Sequence, residues 1–260
     1  MALAASPTDT HPAPALEDAA LTVIELRRYR LQPCARETLI ELFDQAFVEP
    51  QEALGMRIIG QFRDLDDADS FVWLRGFRDM PSRAEALRDF YTGPVWAVHR
   101  DEANATMVNS DNVLLLRPAF PGSGFALPGS RRPEPAARKA QPGLVVATIA
   151  YLAPGTDEAA AAFFEQSMRP LLMQASADVR AALVAERSPN SFPRLPVREG
   201  ETVFVWLASF PSLPAYESHL AALARSREWT QRIVPEWARR TWRANEVWRL
   251  TPTGRSVLHG

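Results

Sequence analysis

The sequence predicts an α+β fold built from two tandem βαββαβ units, because its main motif occurs twice. The tetrapeptide Phe-Val-Trp-Leu lies at Phe71–Leu74 and again at Phe204–Leu207, and a Phe and a Pro follow each copy at the same spacings. A Phe-acidic-Gln triplet precedes each copy, beginning at Phe43 and at Phe164. Echoes that recur in the same order along a chain indicate a duplicated structural unit.

Each copy shows the pattern of strands and helices that the split-βαβ, or ferredoxin-like, unit requires. Alternating apolar residues predict strands, and apolar residues spaced three and four apart predict helices. In the first copy we expect strands at Thr22–Leu31, Arg57–Arg63, Phe71–Phe77 and Val113–Arg117, and helices at Glu37–Phe47 and Ser82–Met107, the latter split at Gly93-Pro94. In the second copy we expect strands at Leu144–Tyr151, Val179–Glu186, Thr202–Phe210 and Glu246–Leu250, and helices at Asp157–Ser176 and Pro214–Arg243.

Proline and glycine separate the two predicted units. The segment 118–143 is rich in both residues, which break helices and strands, so it is predicted to be an exposed linker. Its basic cluster (Arg131, Arg132, Arg138 and Lys139) is interpreted as a solvated part of that linker. The predicted organisation is a disordered tail at 1–20, a first unit at 21–117, the linker, a second unit at 144–252 and a C-terminal tail at 253–260.

Composition excludes several classes of function. The chain of 260 residues has 29 basic and 31 acidic side chains, and this balance argues against a nucleic-acid partner. Its one cysteine, Cys34, excludes an intrachain disulfide and a cysteine-rich zinc site. The longest charge-free apolar stretch is too short to span a bilayer. The N-terminus lacks the basic residues of a signal or transit peptide, so a cytoplasmic protein without a membrane partner is expected.

Alternation along the strands of the first unit separates an apolar face from an unusual mixed face. Ile24 and Leu26 lie on one side of the first strand, Ile58 and Phe62 on one side of the second, and Val72 and Leu74 on one side of the third. The opposite sides carry charged and aromatic residues. We expect the apolar face to pack on the helices and the mixed face to meet the second unit, enclosing a cavity between two sheets.

That cavity is the predicted functional site, for a small anionic or aromatic molecule. Guanidiniums recognise carboxylates well, and a carboxylate or an imidazole can transfer a proton. The predicted anion-binding residues are Arg27, Arg63 and Arg75, the predicted ring-stacking residues are Tyr29, Trp73, Phe77 and Trp206, and the predicted proton-transfer residues are Glu25 and His99. The alternative is structural: ion pairs on a solvated sheet, packing of aromatic residues between the halves, and a histidine packed on a helix face.

The first copy resembles the NIPSNAP family from about Glu25 to Pro118. The matching segments are E-L-R-x-Y, F-V-E-P-Q-E, G-M-R-I-I-G-Q-F-R-D, F-V-W-L-R-G-F, F-Y-x-G-P-V-W, H-R-x-x-A-N-A-T-M and S-D-N-V-L-L-L-R-P. The second copy is similar only in its Phe-Val-Trp-Leu segment and its last strand. The resemblance implies a dimeric α/β-barrel fold, in which two units stack sheet to sheet, here as a pseudo-dimer within one chain that is also able to form a homo-oligomer.

Fold analogy leaves the function open. The dimeric α/β-barrel superfamily includes cofactor-free monooxygenases, isomerases and haem enzymes, and NIPSNAP members are also known as interaction proteins. We expect a small-molecule binder without metal or cofactor that performs proton transfer or oxygenation on an aromatic or polyketide-like acid. The alternatives are a non-catalytic interaction protein and, less favoured, a haem protein with His99 or His219 as axial ligand.

Overall fold

The computed structural model describes residues 20–127, 132–134 and 141–260. The predicted N-terminal tail lies outside these residues except for Ala20, as do Arg131, Arg138 and Lys139 of the predicted basic cluster. The strands of the first half are β1 (Val23–Leu31), β2 (Arg57–Asp64), β3 (Ser70–Phe77) and β4 (Met107–Pro118). Its helices are α1 (Arg36–Leu42), α2 (Val48–Ala53), α3 (Met80–Thr92) and α4 (Pro94–Ala105).

The second half repeats this order of elements. Its strands are β5 (Leu144–Tyr151), β6 (Asp178–Ala185), β7 (Val203–Phe210) and β8 (Glu246–Pro252). Its helices are α5 (Asp157–Phe163), α6 (Arg169–Gln174), α7 (Leu213–Arg225) and α8 (Val234–Ala238). A π-helical turn joins α1 to α2 and another joins α5 to α6, and these turns begin at Phe43 and Phe164, the residues that start the repeated triplet.

The strands form one closed antiparallel barrel in the order β1-β3-β2-β8-β5-β7-β6-β4. Each half therefore contributes four contiguous strands, and the halves join where β2 pairs with β8 and where β4 pairs with β6. The expectation of two separate stacked sheets is corrected by these two seams: the edges that would be left unpaired in a single four-stranded sheet are hydrogen-bonded across the halves. Barrel closure removes exposed strand edges.

The barrel interior contains the apolar faces of both halves. Ile24, Leu26 and Leu74 from the first half share one buried cluster with Val205 and Leu207 from the second. The predicted assignment of faces is therefore wrong: the apolar face of the first half points into the barrel, and the mixed face packs on the helices. An eight-stranded barrel is just wide enough to be filled by side chains, and this narrow interior favours apolar residues from every strand.

A β-bulge in β2 explains a second departure from simple alternation. Ile58 pairs with Arg75, but Gly60 pairs with Leu74, so Ile59 is an extra residue. Ile58 consequently packs on the helices, whereas Ile59 and Phe62 point into the barrel. The prediction that Ile58 and Phe62 share a face is wrong for this reason.

The C-terminal segment, predicted to be a tail, is packed against the first half. Residues 253–258 are buried, and the amide of Leu258 donates to the carbonyl oxygen of Ile59 at 2.8 Å beside the bulge. Arg255 pairs with Glu49. Within the predicted linker, Arg132 is not exposed, because its guanidinium donates to the carbonyl oxygens of Arg255 at 2.7 Å and Ile58 at 2.5 Å.

Candidate functional site

Four charged side chains are buried together between the first-half strands and α3. The Glu25 carboxylate accepts hydrogen bonds from Arg27 Nη1, Arg75 Nε and Arg83 Nε, each at 2.7 Å. Glu25, Arg27 and Arg75 lie opposite or beside one another in the β1–β3 register, and Arg83 comes from the first turns of α3. We call these four residues the arginine cluster. All four are fully buried, so the cluster holds three guanidiniums around one carboxylate away from water.

The remaining guanidinium hydrogens of the cluster are only partly satisfied. Arg27 Nε donates to Tyr29 Oη at 2.9 Å, and Arg75 Nη1 donates to Gln51 Oε1 at 3.0 Å. Nη2 of Arg75 and Nη2 of Arg83 are buried without a hydrogen-bond partner among the described residues. Buried polar groups normally have partners, and donors left without one are costly.

The cluster fixes the protonation states of its acidic members. Burial alone would raise the pKa of Glu25, but Arg75, Arg27 and Arg83 together outweigh it and hold this pKa far below its usual range. Glu25 is therefore ionised and tightly paired, which makes it a poor proton acceptor. Burial raises the pKa of Tyr29 despite the nearby Arg27, so Tyr29 is a neutral phenol at physiological pH. Because Tyr29 Oη accepts from Arg27, its own hydrogen remains available to another acceptor.

A cavity of about 770 Å³ adjoins the cluster between β1, β4 and the helices α3 and α4. Tyr29 and Tyr91 line it next to the cluster, and Trp96 and Met107 form much of its apolar wall. Asn104 adds a polar amide. Tyr29 is thus the link between the two features: its hydroxyl is bonded to the buried Arg27, and its ring faces the cavity.

A loop of the second half completes this site of the first half. The loop 186–202 joins β6 to β7, and its Asn190 and Ser191 side chains accept hydrogen bonds from Arg83 Nη1 at 3.0 Å. Phe192 stacks on Tyr91, with ring centroids 5.9 Å apart. Arg194 of the same loop lies on the cavity wall. The arginine cluster and its cavity are therefore shared between the two halves.

The predicted site residues separate into those that the structure brings together and those that it does not. Glu25, Arg27, Tyr29, Trp73, Arg75 and Phe77 lie in or beside the cluster. Trp73 packs under both guanidiniums, with the Cζ atoms of Arg75 and Arg27 5.0 Å and 5.5 Å from its ring centroid. Trp206 occupies the corresponding place in the second half, on the wall of another cavity.

Arg63 does not join the cluster, although it is on the predicted face. It pairs with Phe71, four residues along β3 from Arg75, and this spacing is about 13 Å in a strand. Its guanidinium binds the Glu37 carboxylate instead, at 2.7 and 2.5 Å. The prediction that three strand arginines converge on one anion is therefore corrected: Arg83 of α3 takes the place of Arg63.

His99 lies away from the cavity wall. Its ring packs edge-on against Phe47, and its Nδ1 is 3.8 Å from the Glu102 carboxylate on a half-exposed face of α4. The neighbouring residues Trp96 and Arg100 line the cavity from the same helix. The structure thus gives no geometric support to the predicted role of His99 in proton transfer at this site.

Sequence reasoning missed Arg83, Tyr91 and the loop 186–202. Arg83 had a usable signal, because it lies three, four and seven residues before Ala86, Leu87 and Phe90 on the buried face of α3. An arginine at a core position of an amphipathic helix needs a buried partner. The loop carried no comparable signal, since its contacts join residues more than a hundred positions apart.

Another buried carboxylate, that of Asp44, lies outside the cluster near Gln61, whose Nε2 donates to its Oδ1 at 2.9 Å. Burial raises the pKa of Asp44 to about 6, above the value of about 3.9 expected in the unfolded chain. The folded state therefore binds more protons than the unfolded state between about pH 4 and 6, and its stability falls as the pH rises through this window.

We therefore expect Asp44→Asn to stabilise the protein at neutral pH. Asparagine keeps an oxygen acceptor for Gln61 and removes the charge that burial disfavours, so the gain should be about 1–2 kcal/mol at pH 7. The gain should vanish near pH 4, where Asp44 is protonated in the native protein. Urea unfolding of both proteins at these two pH values measures it. A variant that is less stable than the native protein at pH 7 would show that the ionised form is needed.

Two general features of the described residues bear on function. No helix among them is long and apolar enough to cross a membrane. No group of three or more His, Cys, Asp or Glu side chains in the same part of the chain is arranged to hold a metal ion.

The first half of the chain matches a known protein family. Residues 24–120 match the sequence model of the NIPSNAP family. The matched residues run from β1 to just beyond the end of β4, and they include all four residues of the arginine cluster. A comparison with curated protein sequences found no match.

Solved structures share the fold of the whole chain at low sequence identity. A protein described as a "putative monooxygenase" from Lactobacillus acidophilus NCFM aligns with a TM-score of 0.53 and 12% identity over 90% of this chain and 94% of its own. A protein with the same description from Fusobacterium nucleatum aligns with a TM-score of 0.57 and 9% identity over 90% of this chain and 93% of its own. A protein described as anthrone oxidase-like aligns with a TM-score of 0.56 and 15% identity over 95% of this chain and 98% of its own. At these identities the likeness shows a common fold.

Proposed function

We propose, with residues 24–120 identified as a NIPSNAP domain, that this protein binds a small aromatic molecule with an anionic or enolisable oxygen in the cavity beside Tyr29 and oxidises it with dioxygen, without a bound cofactor. The observation that carries the proposal is the charge of the arginine cluster. Three guanidiniums face one carboxylate, so the described cluster has an excess of two positive charges with no exposure to water.

An unbalanced buried charge needs compensation. Removing an ion from water costs several kcal/mol, and only a close counter-charge or strong hydrogen bonds offset this cost. The carboxylates on the cavity wall, Asp101 and Asp111, are exposed and lie on α4 and β4 rather than against the guanidiniums. A negative charge on a bound molecule would complete the cluster through Tyr29, which makes an anionic ligand the chemically favoured occupant.

Tyr29 is suited to stabilise such a charge. Its phenol accepts from the Arg27 cation and is therefore a stronger hydrogen-bond donor than an isolated tyrosine. A preorganised donor in a water-poor site stabilises a developing oxyanion effectively. When an anthrone-like ketone loses a proton from its methylene carbon to solvent water, the electron pair is delocalised through the aromatic system onto the ketone oxygen, to which Tyr29 would donate. The aromatic wall formed by Trp96 and Tyr91 suits a flat ring system.

Enolates of this type react with dioxygen directly. For an anthrone-like substrate, the methylene carbon loses its two hydrogens and gains one oxygen atom as a new carbonyl, and the other oxygen atom leaves as water, so that dioxygen is the oxidant. The descriptions of structures with the same fold as monooxygenases and as anthrone oxidase-like support this reaction class. We also interpret each half as one ferredoxin-like unit, which makes the barrel a pseudo-dimer with one elaborated site.

The proposal is tested with anthrone as substrate and 1-naphthoate as a non-reacting anionic probe. We expect saturable oxygen uptake with anthrone above the rate without protein, with one anthraquinone formed per dioxygen, and competitive inhibition by 1-naphthoate. Ala97→Trp places a large ring on the cavity wall and should abolish both binding and turnover. Val98→Trp is the matched control, because Val98 is the next residue of α4 and is 73% exposed outside the cavity.

Each outcome decides one part of the proposal. Binding of 1-naphthoate that Ala97→Trp abolishes, without oxygen uptake, would retain the anion site and overturn the oxygenation. Absence of binding by both molecules, or equal effects of the two tryptophan variants, would overturn the site itself.

A further inference from the structure

The second half contains a cavity of about 190 Å³ at the position that corresponds to the arginine cluster. Pairing in the barrel establishes the correspondence. In the first half Glu25 pairs with Arg75, and Arg27 pairs with Trp73. In the second half Val146 pairs with Ala208, and Thr148 pairs with Trp206. Since Phe71–Leu74 and Phe204–Leu207 are the repeated motif, Glu25, Arg27 and Arg75 correspond to Val146, Thr148 and Ala208.

The helix supplies the fourth correspondence. The side chain of Asp79 caps α3, and that of Ser212 caps α7 in the same way. Counted from these caps, Arg83 corresponds to Tyr216. All four charged residues of the cluster thus have uncharged counterparts, and each of the four counterparts lines the second cavity. The second half therefore carries no charge at these four positions. It also has more space there, because valine, threonine and alanine are smaller than the glutamate and arginines at the corresponding positions of the first half.

The wall of this cavity has a definite chemistry. It is mostly aromatic and aliphatic, with Trp206, Trp229 and Phe210 among its members, and none of its described side chains is charged. The cavity opens to solvent beside Leu220 and Val247, which are 46% and 45% exposed, and an apolar cavity of comparable volume can hold a benzene-sized molecule. A neutral single-ring compound therefore fits both its size and its polarity.

His219 is a polar residue on the wall of this cavity. It is the counterpart of the buried Ala86 of α3, counted from the same caps, and it is 5% exposed. Its Nδ1 lies 2.8 Å from the carbonyl oxygen of Ala175, an acceptor, so Nδ1 carries the hydrogen and Nε2 of the neutral ring is an acceptor. Burial lowers the pKa of His219, which favours this neutral form.

We infer that the space between the second-half strands and the helices α6 and α7 is a second binding site, for a neutral single-ring aromatic molecule that carries an O–H or N–H donor, with His219 Nε2 as the acceptor. This site is separate from the cavity beside Tyr29 and does not depend on the function proposed there. The duplicated chain thus carries two sites of opposite character, one cationic and one neutral.

Phenol and toluene are the probes, because they have nearly the same shape and only phenol has a donor. The full chain is labelled with 5-fluorotryptophan, and the ¹⁹F resonances of Trp206 and Trp229 are assigned with Trp206→Phe and Trp229→Phe. We expect the two assigned resonances, those of Trp206 and Trp229, to shift saturably with either probe. Ala208→Leu fills the cavity and should weaken both probes at least tenfold without lowering the melting temperature.

His219→Leu tests the hydrogen bond independently of cavity filling. It should weaken phenol about fivefold and leave toluene within twofold, because only phenol loses an acceptor. Ala97→Trp, which blocks the first cavity, should change neither affinity, and this separates the inference from the proposed function. Shifts that do not saturate, or that persist in Ala208→Leu, would overturn the site. Equal loss of phenol and toluene in His219→Leu would overturn its donor specificity.

Discussion

Glu25→Gln is expected to destabilise the protein by about 3–5 kcal/mol, the range for breaking a buried ion pair by removing one partner. Glutamine preserves the shape of the side chain but removes the one carboxylate that pairs with Arg27, Arg75 and Arg83 among the described residues. Three buried guanidiniums would then repel one another without a counter-charge. Urea unfolding at pH 7 measures the loss, and binding of 1-naphthoate should restore part of it, because an anion in the adjacent cavity supplies charge of the missing sign.

The loss should depend on pH in a defined direction. The pKa of Glu25 is lowered in the folded protein, so its contribution to the free energy of unfolding is fully present above the unfolded pKa of about 4.3 and declines as the pH falls below that value. The difference between native protein and variant should therefore narrow under acidic conditions. Glu37→Gln is the matched control: it breaks the half-exposed pair with Arg63 and should cost no more than about 1 kcal/mol.

Arg75→Met provides the opposite test of the same electrostatics. It removes one of the surplus charges and leaves Glu25 paired with Arg27 and Arg83. Its effect on stability should be much smaller than that of Glu25→Gln, because the lost hydrogen bonds to Glu25 and Gln51 are offset by reduced repulsion. A larger loss for Arg75→Met than for Glu25→Gln would contradict the assignment of an excess positive charge to the cluster.

The sequence allowed the membership of the two strand faces to be predicted, but not their direction. Alternation correctly grouped Glu25 and Arg27 on one side of β1 and Ile24 and Leu26 on the other. Which side meets the second half depends on how two edges close into a barrel, and local periodicity contains no information on that closure. The mixed face therefore packs on helices, and the predicted cavity between sheets is instead a filled barrel interior.

The failures at Arg63 and Ile58 have two other physical origins. Arg63 lies on the predicted face but about 13 Å along β3 from Arg75, whereas Ile58 changes face at the bulge. A bulge adds one residue to β2 and changes both register and alternation, and no residue type at 58–60 predicts it with certainty. The burial of Arg83 could have been predicted from the sequence, since its spacing on α3 places it with the core residues of that helix. Contacts made by Asn190 and Ser191 were beyond sequence reasoning, because they depend on the path of a loop from the other half.

The two halves have the same order of elements but differ in charge at the position of the arginine cluster. The second half keeps the strand pairing, the π-helical turn and the cap of its long helix, all of which maintain the fold. It lacks the four charges, so the fold does not require them. The loop 186–202 of the second half meanwhile contacts Arg83 and covers Tyr91. Because the second half forms the same arrangement of strands without these charges, the arginine cluster is not needed to form the barrel, which is consistent with the role in the cavity that we propose.

Tyr29→Phe is expected to weaken binding of 1-naphthoate by about ten- to a hundredfold, which corresponds to about 1.5–3 kcal/mol for a hydrogen bond to a charged group. The phenol is the only described group that both bonds to the cluster and faces the cavity, so its loss separates the anion from the positive charge behind it. Naphthalene, which has no oxygen, should bind the variant and the native protein within a factor of two. Tyr216→Phe makes the same chemical change in the second half and should leave 1-naphthoate binding unaltered. Isothermal titration with both ligands measures these ratios. Equal weakening of naphthalene would show that Tyr29 shapes the cavity instead of donating to the ligand, and the electrostatic link between cluster and cavity would be disproved.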